Sequence, residues 1–411
     1  MKVKAMKALI LAAGEGKRMR PLTLARPKAM LPVMGKPVLE LILKSAIVAG
    51  VKDFIIVVGY KADLIKRYFE SGERLGVKIE YVNQNKQLGT AHAIAAAEST
   101  LAGEKRFLIL NSDGILSSSD IKKIMKSKKM ALLACEVENP VGFGAIEASD
   151  GKVKRIVEKS NQPPSNLANA GVYIFTPEIF KAIDKTPISP RGEYEITDSI
   201  QYLIDSGREI SLVKSNSWID LTYPWDLLRA NELLMPEVKT NIEGEIEPRA
   251  TIKGNISLGK NSILRDGAYI IGPAIIGDNC EIGPNCYIRP STVIGSKVKI
   301  GHAVEVKNSI IMNGTHIGHL SYVGDSIIGE NSNLGAGTII ANLRFDEKNI
   351  KVSIEGKIID SKRRKLGAII ADKVRTGINS MINAGTVIGE QAIIGPGVFV
   401  RGEISSYSVI K

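Results

Sequence analysis

Residues 246–306 read IEPRATIKGNISLGKNSILRDGAYIIGPAIIGDNCEIGPNCYIRPSTVIGSKVKIGHAVEV, and an aliphatic residue returns at every sixth position: Ile246, Ile252, Leu258, Leu264, Ile270, Ile276, Ile282, Ile288, Ile294, Ile300 and Val306. Neither a helix nor a free strand has that period. The residue two places earlier is usually small (Ala250, Ser262, Ala268, Ala274, Cys280, Cys286, Thr292), and the residue after the aliphatic is often glycine (Gly259, Gly277, Gly283, Gly295, Gly301). This is the hexapeptide pattern of a parallel β-helix. Side chains alternate across a strand, so the paired small and aliphatic residues both point inward, while glycine permits the tight corner to the next strand. Each rung then stacks on the one below, and the core is built one coil at a time.

After Val306 the register slips by one residue and resumes with Ile311, Ile317 and Val323, then slips again and resumes with Ile328, Leu334 and Ile340. From residue 341 to 366 the pattern is absent. It returns as Ile370, Thr376, Ile382, Ile388, Ile394 and Val400. The interruption reads as a loop extruded from a coil that afterwards continues, and an irregular segment on a rigid scaffold usually carries function.

A repeat filling the last two fifths of 411 residues leaves a first part large enough to bury a core of its own. The boundary is expected at residues 237 and 238. Against 43 acidic residues stand 55 Lys and Arg, for a net charge of +12. That balance suits anionic small molecules such as nucleotides and sugar phosphates, or simply a lysine-rich surface. No aromatic stacking motif, zinc-finger spacing or helix-turn-helix signal points to nucleic acid. Three cysteines do not make a disulfide framework, and Cys280 and Cys286 occupy the inward slot of the repeat. No apolar run reaches membrane length and no signal-peptide pattern is found, so a cytoplasmic protein is expected.

In the first part, residues 7–12 read as a buried strand that runs into Gly14-Glu15-Gly16-Lys17-Arg18-Met19-Arg20-Pro21. A strand feeding a glycine loop is a phosphate-binding arrangement: Gly14 and Gly16 let backbone N–H groups approach a polyanion, and Lys17, Arg18 and Arg20 supply charge. A second basic segment, Arg26-Pro27-Lys28-Ala29-Met30-Leu31-Pro32, is held extended by its prolines. Beyond it, helical patterns at residues 38–49, 62–69 and 90–98 alternate with strands at 54–58, 78–82 and 107–110. That alternation predicts a doubly wound, mainly parallel sheet with its ligand site at the carboxyl ends of the strands. Asp113 follows the last of these strands at the same edge as the glycine loop, which suggests a magnesium ligand beside a triphosphate; a turn cap before Gly114 is the alternative. Asp220, in Ser217-Trp218-Ile219-Asp220, ends an apolar stretch in the same manner and offers a second carboxylate.

Taken together, LAAGEGKRMRPLT, RPKAMLPVMGKP, the run QNKQLGTAHA from Gln84 to Ala93, Glu158-Lys159 and Asn169-Ala170-Gly171-Val172-Tyr173 resemble the sugar-1-phosphate nucleotidylyltransferases. With the β-helix attached, the chain resembles the bifunctional N-acetylglucosamine-1-phosphate uridylyltransferase and glucosamine-1-phosphate N-acetyltransferase family, of archaeal type. The resemblance implies an α/β Rossmann-like nucleotidyltransferase domain followed by a left-handed parallel β-helix of hexapeptide repeats. Carried over residue by residue, it implies that Gly14, Gly16 and Arg18 bind the triphosphate and that Lys28 holds phosphates, with Arg18 and Lys28 as the catalytic cations. Gln84, Gln87, Gly89 and Thr90 would hold the base and ribose, Glu158 and Asn169 the sugar, and Asp113 and Asp220 the Mg²⁺. Ser112, Ser160 and Leu221-Thr222 depart from the family pattern, and these positions bear on sugar specificity. The bacterial bifunctional enzymes use Asn at the second metal position, so Asp220 matches the wider transferase family.

In the second half, His302, His316 and His319 fall around the first register slip. The segment His319-Leu320-Ser321-Tyr322-Val323-Gly324-Asp325, followed by Asn333-Leu334-Gly335-Ala336-Gly337-Thr338 and Asn342, resembles the acetyltransferase half of the family. By that resemblance His319 is the general base, and Tyr322, Asn333, Asn342 and Lys348 hold the amino-sugar phosphate. The repeat independently places Arg289 and Lys307 in the slot normally filled by glycine, on one corner of successive coils, where stacked cations make a phosphate site. Arg265 also occupies such a slot, so drift at a tolerant corner is the competing reading. The resemblance further implies acetyl-CoA as co-substrate, UTP or dTTP and sugar-1-phosphates as substrates, a homotrimer, and no nucleic-acid or membrane partner. The alternative is a single-activity glucose-1-phosphate thymidylyl- or uridylyltransferase whose β-helix is structural.

Overall fold

Ala8–Ala12 is a run of five apolar residues, every one of them buried, as a strand covered on both faces requires. In the computed structural model, which describes residues 6–215 and 217–411, this strand, β1, lies inside a nine-stranded sheet. It pairs in parallel with β2 (Asp53–Val58), and β3 (Lys78–Asn83) extends the sheet beyond β2. On its other side β1 pairs in parallel with β4 (Phe107–Asn111). The chain runs outward from β1 to β3 and then returns for β4. The topological switch therefore falls between β1 and β4, and their carboxyl ends open a crevice there. Helices α1 (Val38–Val48), α2 (Ala62–Phe69) and α3 (Thr90–Ala95) make the crossovers, and α4 (Ser118–Met125), α5 (Glu178–Ile183) and α6 (Ile196–Asp205) follow in the chain.

The rest of the sheet departs from the mainly parallel arrangement read from the sequence. After the short β5 (Gly114–Ile115) come β6 (Ala131–Glu136), β7 (Gly144–Ser149), β8 (Lys152–Glu158), β9 (Leu167–Phe175), β10 (Ser211–Ser215) and β11 (Ile219–Asp220). The sheet order is β3-β2-β1-β4-β9-β6-β10-β8-β7, with β9 antiparallel to both β4 and β6 and only β10 and β6 parallel in this half. The reason is local. Asp150 and Gly151 both adopt left-handed φ, 55° and 71°, a two-residue turn whose twist suits a hairpin, and β7 and β8 are joined with no crossover helix.

One buried charge sits on α1. Glu40 is 1% exposed and accepts hydrogen bonds from the Tyr68 hydroxyl at 2.7 Å and the Arg74 guanidinium at 3.3 Å, with the Lys44 ammonium at 2.8 Å. Burial alone would raise its pKa, but the bonds from Lys44 and Tyr68 and the charges of Lys44 and Arg74 outweigh it and hold the carboxyl below its ordinary range. Tyr68 is pushed up to about 12, first by burial and then by its bond to Glu40.

The second half forms three parallel sheets of nine, nine and eight strands, the faces of a left-handed β-helix. Leu258 stacks on Ile276 and Ile276 on Ile294, so each coil takes three hexads. The inward aliphatics, with Cys280 and Cys286 among them, make one continuous buried core. Burial pushes the Cys286 thiol up to about 12, so it behaves as a small apolar side chain. Below Ile294 two coils are one residue shorter: Ile294 stacks on Ile311 and Ile311 on Ile328. Both deletions fall where the chain turns from the sheet holding Val306 and Val323 into the sheet holding Ile311 and Ile328. Between Ile340 and Ile369, at that same corner, the chain leaves the prism and returns, and Ile328 stacks directly on Ile370. The excursion contains a hairpin, Lys351–Ile354 against Lys357–Asp360, and a bridge between Leu343 and Lys365 near its base.

Two compact units emerge from the contacts. One holds the described residues up to Glu15 with Arg26–Met30 and Pro37–Asp220; the other holds Gly16–Ala25, Leu31–Lys36 and Leu221–Lys411. Helix α7 (Pro224–Leu234) thus belongs with the β-helix, and the turn after it supplies Met235 and Val238, which cluster with Ile275 and Val293 on the outward side of one prism face.

Replacing Glu40 by Gln removes a charge whose partners Lys44 and Arg74 are half exposed and can turn to water, so the cost should be about 1 to 3 kcal/mol. Because the folded-state pKa of Glu40 is lowered, its contribution is present above the ordinary glutamate range and is lost as pH falls through the lowered value. Urea melts of the two proteins should therefore differ at pH 7 and converge on acidification; a constant gap down to pH 3 would exclude this assignment.

Candidate active sites

At the crevice edge of the first unit, Leu11 of β1 is in register with Asn111 of β4, so Gly14 and Asp113 follow adjacent strand ends. Among the described residues, a Cβ on Gly14 would meet no atom within 4 Å, and its φ lies outside the left-handed region. Nothing in the fold itself asks for glycine there. Asp113 Oδ2 accepts from Lys28 Nζ at 3.1 Å, with Lys28 12% exposed. The short strand β11 pairs antiparallel with β5 so that Asp220 stands opposite Gly114, bringing the second carboxylate next to the first from more than a hundred residues away. Gly114 is itself required, because a Cβ would overlap the indole nitrogen of Trp218, and Trp218 packs edge-on against Phe143.

The glutamine run after β3 is partly structural. Gln84 is 4% exposed, and its amide donates to the Gly89 carbonyl at 3.1 Å and lies 2.9 Å from His92 Nδ1. The Thr90 hydroxyl accepts from the Ile196 N–H at 3.0 Å. Gly89 has φ 105° and its backbone packs so closely on Tyr194 that a Cβ would come within 2.5 Å of the Tyr194 carbonyl oxygen. Gln87 reaches over Gly59, its Nε2 2.7 Å from where a Cβ would stand, so its side chain lies at the ends of β1 and β2.

Glu158 and Asn169 converge on Gly144 from two neighbouring strands. Glu158 is in register with Gly144 and Ala168 with Ala145, and a Cβ on Gly144 would lie 3.1 Å from Glu158 Oε2 and 3.4 Å from the Asn169 Cβ. The Asn169 amide also holds the irregularity in β9: Oδ1 accepts from the Gly171 N–H at 3.1 Å, and Nδ2 donates to the Tyr173 hydroxyl at 2.7 Å. Glu195, 4% exposed, lies in the same acidic neighbourhood, and burial first, then the charge of Glu158, raises its pKa. This end of the crevice favours a ligand with hydroxyl donors.

Within the second unit, Gly16 is left-handed at φ 77° and its carbonyl accepts from the Thr23 hydroxyl at 3.1 Å. The Arg18 guanidinium lies 5.9 Å from the centroid of Tyr223. Arg20, counted from sequence as a phosphate cation, is ion-paired with Glu355.

The β-helix ladder puts Arg289 and Lys307 on one corner of successive coils, since Ile288 pairs with Val306 and the Arg289 N–H donates to the Val306 carbonyl. Neither is a bare cation: Arg289 Nη1 donates to Glu305 Oε1 at 2.8 Å, and Lys307 Nζ lies 3.2 and 2.9 Å from the two oxygens of Asp325. Arg265 sits on a different face, between Glu247 and Glu281. Asn342 donates to the Tyr322 hydroxyl at 3.1 Å and to Asp325 Oδ2. That leaves the Tyr322 proton free to donate outward, and it is held on the oxygen by a pKa raised through burial and then through the charges of Asp325 and Glu305. His302 and His319 are exposed and stacked in register, as are His316 and Asn333. Lys348 is exposed on the excursion. Arg363, in the basic run at the end of the excursion, is tied to Glu232 of α7, with Nη1 3.2 Å from Oε2.

Asp325 escaped the reading of the sequence, although it closes the segment that carried the acetyltransferase resemblance. Its signal was the register slip: Asn308 and Asp325 stand at the two corners shortened by one residue, both with left-handed φ, 45° and 49°.

A nucleotidyl transferase family model matches residues 7–236, and a model of the GMPPB C-terminal domain matches residues 270–364. The chain is 41% identical over 98% of its length to the bifunctional protein GlmU of Methanocaldococcus jannaschii, covering 97% of that protein. It is 41% identical to the bifunctional sugar-1-phosphate nucleotidylyltransferase/acetyltransferase of Sulfurisphaera tokodaii, over 97% of this chain and 98% of that protein. Among solved structures, a UDP-glucose pyrophosphorylase complexed with UDP-glucose aligns with 57% of the chain and 99% of its own length at a TM-score of 0.52 and 27% identity. The full-length relatives match both halves in one polypeptide, and the chain belongs to the bifunctional sugar-1-phosphate nucleotidylyltransferase/acetyltransferase family.

Proposed function

We propose that the first site joins a uridylyl or thymidylyl group to a sugar-1-phosphate and that the second acetylates glucosamine-1-phosphate, the two steps leading to UDP-N-acetylglucosamine in the cytoplasm. The observation that carries the first reading is the pairing of Asp220 with Gly114, which sets a second carboxylate beside Asp113 at the crevice edge. Two hard oxygen donors, with room left for phosphate oxygens, fit Mg²⁺. Held by Asp113 and Asp220, Mg²⁺ would neutralise charge on the triphosphate. In the transfer a sugar-phosphate oxygen forms a bond to the α-phosphorus as the bond to pyrophosphate breaks. The attacking oxygen is already anionic and needs no base, so positioning and charge stabilisation supply the rate. Gly14 and Gly16 offer backbone N–H groups, Arg18 and Lys28 meet the phosphates, Gln84, Gln87, Gly89 and Thr90 bound the base and ribose, and Glu158 and Asn169 receive sugar hydroxyls.

At the second site His319 takes a proton from the sugar amine as nitrogen attacks the thioester carbonyl, and the carbon–sulfur bond breaks to release coenzyme A. Arg289, Lys307 and Lys348 meet the sugar phosphate, with Tyr322, Asn333 and Asn342 around the amino sugar. A cleft of about 860 Å³ beneath the excursion supports acetyl-CoA as the donor: Arg344, Lys351 and Arg401 line it together with Phe345 and Ile358, a mix of cations and apolar surface suited to a nucleotide thioester. One prism face exposes a ladder of Ile339, Met381 and Phe399, at 44, 46 and 55%. We assign it to the contacts of a homotrimer with threefold symmetry.

Asp113→Asn should abolish pyrophosphate release from UTP or dTTP with a sugar-1-phosphate while acetyl transfer stays near normal; equal loss of both in a folded variant would count against separate sites. Gly14→Ala meets no atom of the described residues within 4 Å, so the melting temperature should hold while KM for the nucleotide rises roughly tenfold or more, the cost of a displaced charge-assisted hydrogen bond. Light scattering at micromolar concentration should give three times the 44.4 kDa chain mass; a monomer that transfers acetyl groups would rule out the shared assembly.

A further inference from the structure

Asp325 is 2% exposed, and its carboxylate collects donors from the turns of the β-helix before and after its own. Lys307 Nζ and Asn308 Nδ2, from the coil before, lie 2.9 and 2.8 Å from Oδ2 and Oδ1, and Asn342 Nδ2, from the coil after, lies 2.5 Å from Oδ2. Its backbone is clamped as well, with its N–H donating to the Lys307 carbonyl at 2.8 Å and its carbonyl accepting from Gly367, where the excursion rejoins the prism. Next to it, glycine at 324 leaves both partners in place, since a Cβ would lie 2.5 Å from the Tyr322 hydroxyl and 2.6 Å from Asn342 Nδ2 and would displace them. Asn308 Nδ2 is shared between Asp325 and Glu232 of α7, at 2.8 and 2.7 Å.

We propose that Asp325 is the positioning residue of the acetyl-transfer site: it orients the Lys307 ammonium so that its remaining N–H group points at the phosphate of glucosamine-1-phosphate, while Asn342, whose two N–H groups are taken by Asp325 and Tyr322, braces the carboxylate from the following coil. The inference rests on the second half of the proposed function. An ammonium has three donors on a flexible four-carbon stem. With part of that capacity committed to a rigid buried carboxylate, the rest is aimed in advance, and a bound phosphate does not have to order the side chain. Lys307, Asp325 and Asn342 all lie on the corner line where two coils are one residue short. Asp325 also offsets the charge of Lys307, and Glu305 that of Arg289, so the empty site is close to neutral and depends on geometry for its affinity.

Asp325→Asn should raise KM for glucosamine-1-phosphate roughly ten- to hundredfold, with kcat and KM for acetyl-CoA changed less than about threefold, because His319 is untouched. Since Asp325 acts through Lys307, the loss should be absent in a Lys307→Met background, where the double variant is no worse than Lys307→Met alone. Nucleotidylyl transfer by the same preparations reports whether each variant is folded, and if the single variant does not fold, the double variant, which leaves no unpaired buried charge, still permits the comparison. Additive losses in the double variant, or a fall in kcat with KM unchanged, would overturn the proposal. Absence of acetyl transfer in the unaltered enzyme would instead overturn the bifunctional reading on which it rests.

Discussion

The inward stacking of one aliphatic residue on the next, coil after coil, is the constraint on which the second half of this protein depends. Each face of the prism needs its rung in register with the rung above, because a one-residue slip within a strand would turn the buried side chain outward. Any residue gained or lost must therefore be absorbed at a corner. From Ile246 onward every departure from the hexad falls on one corner line: the deletions at Asn308 and Asp325, the excursion after Ile340, and the short turn between Val400 and Ile404. Arg289, Lys307, Asn342 and Arg401 lie on that same line. The faces maintain the fold, and the corner is free to hold chemistry.

A comparable division holds in the first half. The parallel strands β1 and β4 present their carboxyl ends together, and that edge carries Gly14 and Asp113 irrespective of what the rest of the sheet does. The antiparallel half, from β6 to β9, brings Glu158 and Asn169 to either side of Gly144. One sheet thus has an edge of open parallel strand ends and a pocket walled by side chains of neighbouring antiparallel strands, each built by the strand direction that suits it. A parallel edge leaves N–H groups and strand ends open to a ligand, whereas hairpin strands set side chains shoulder to shoulder.

Surplus positive charge does not amount to bare cations in these sites. Lys28 is held by Asp113, Arg289 by Glu305, and Lys307 by Asp325. Pairing lowers the self-repulsion of a chain with a net charge of +12 and holds long side chains in place before any ligand arrives. Arg363, from the most basic stretch of the excursion, is likewise taken up by Glu232 of α7, so that charge run does not act as a uniform phosphate trap.

Much was legible in the sequence. The hexad period determined the prism, its inward residues, the packing role of Cys280 and Cys286, and the place where the chain leaves it, because a repeat with one dominant interaction writes that interaction at a fixed spacing. That the glycine loop after one apolar strand and the Asp after another share an edge was readable because alternating strands and helices put the strands' carboxyl ends side by side. The mixed direction of the sheet was not readable from alternation alone, although Asp150-Gly151 carried the local hairpin signal. Tertiary structure decided the partnerships across long separations: Asp220 opposite Gly114, Glu158 and Asn169 about Gly144, the amides of Gln84 and Asn169 engaged within the fold, and Lys307, Asn308 and Asn342 gathered on Asp325. Spacing along a chain records how a residue meets its neighbours in a strand or coil, but a carboxylate chooses its donors by distance in space, and that distance exists only once the coils have stacked.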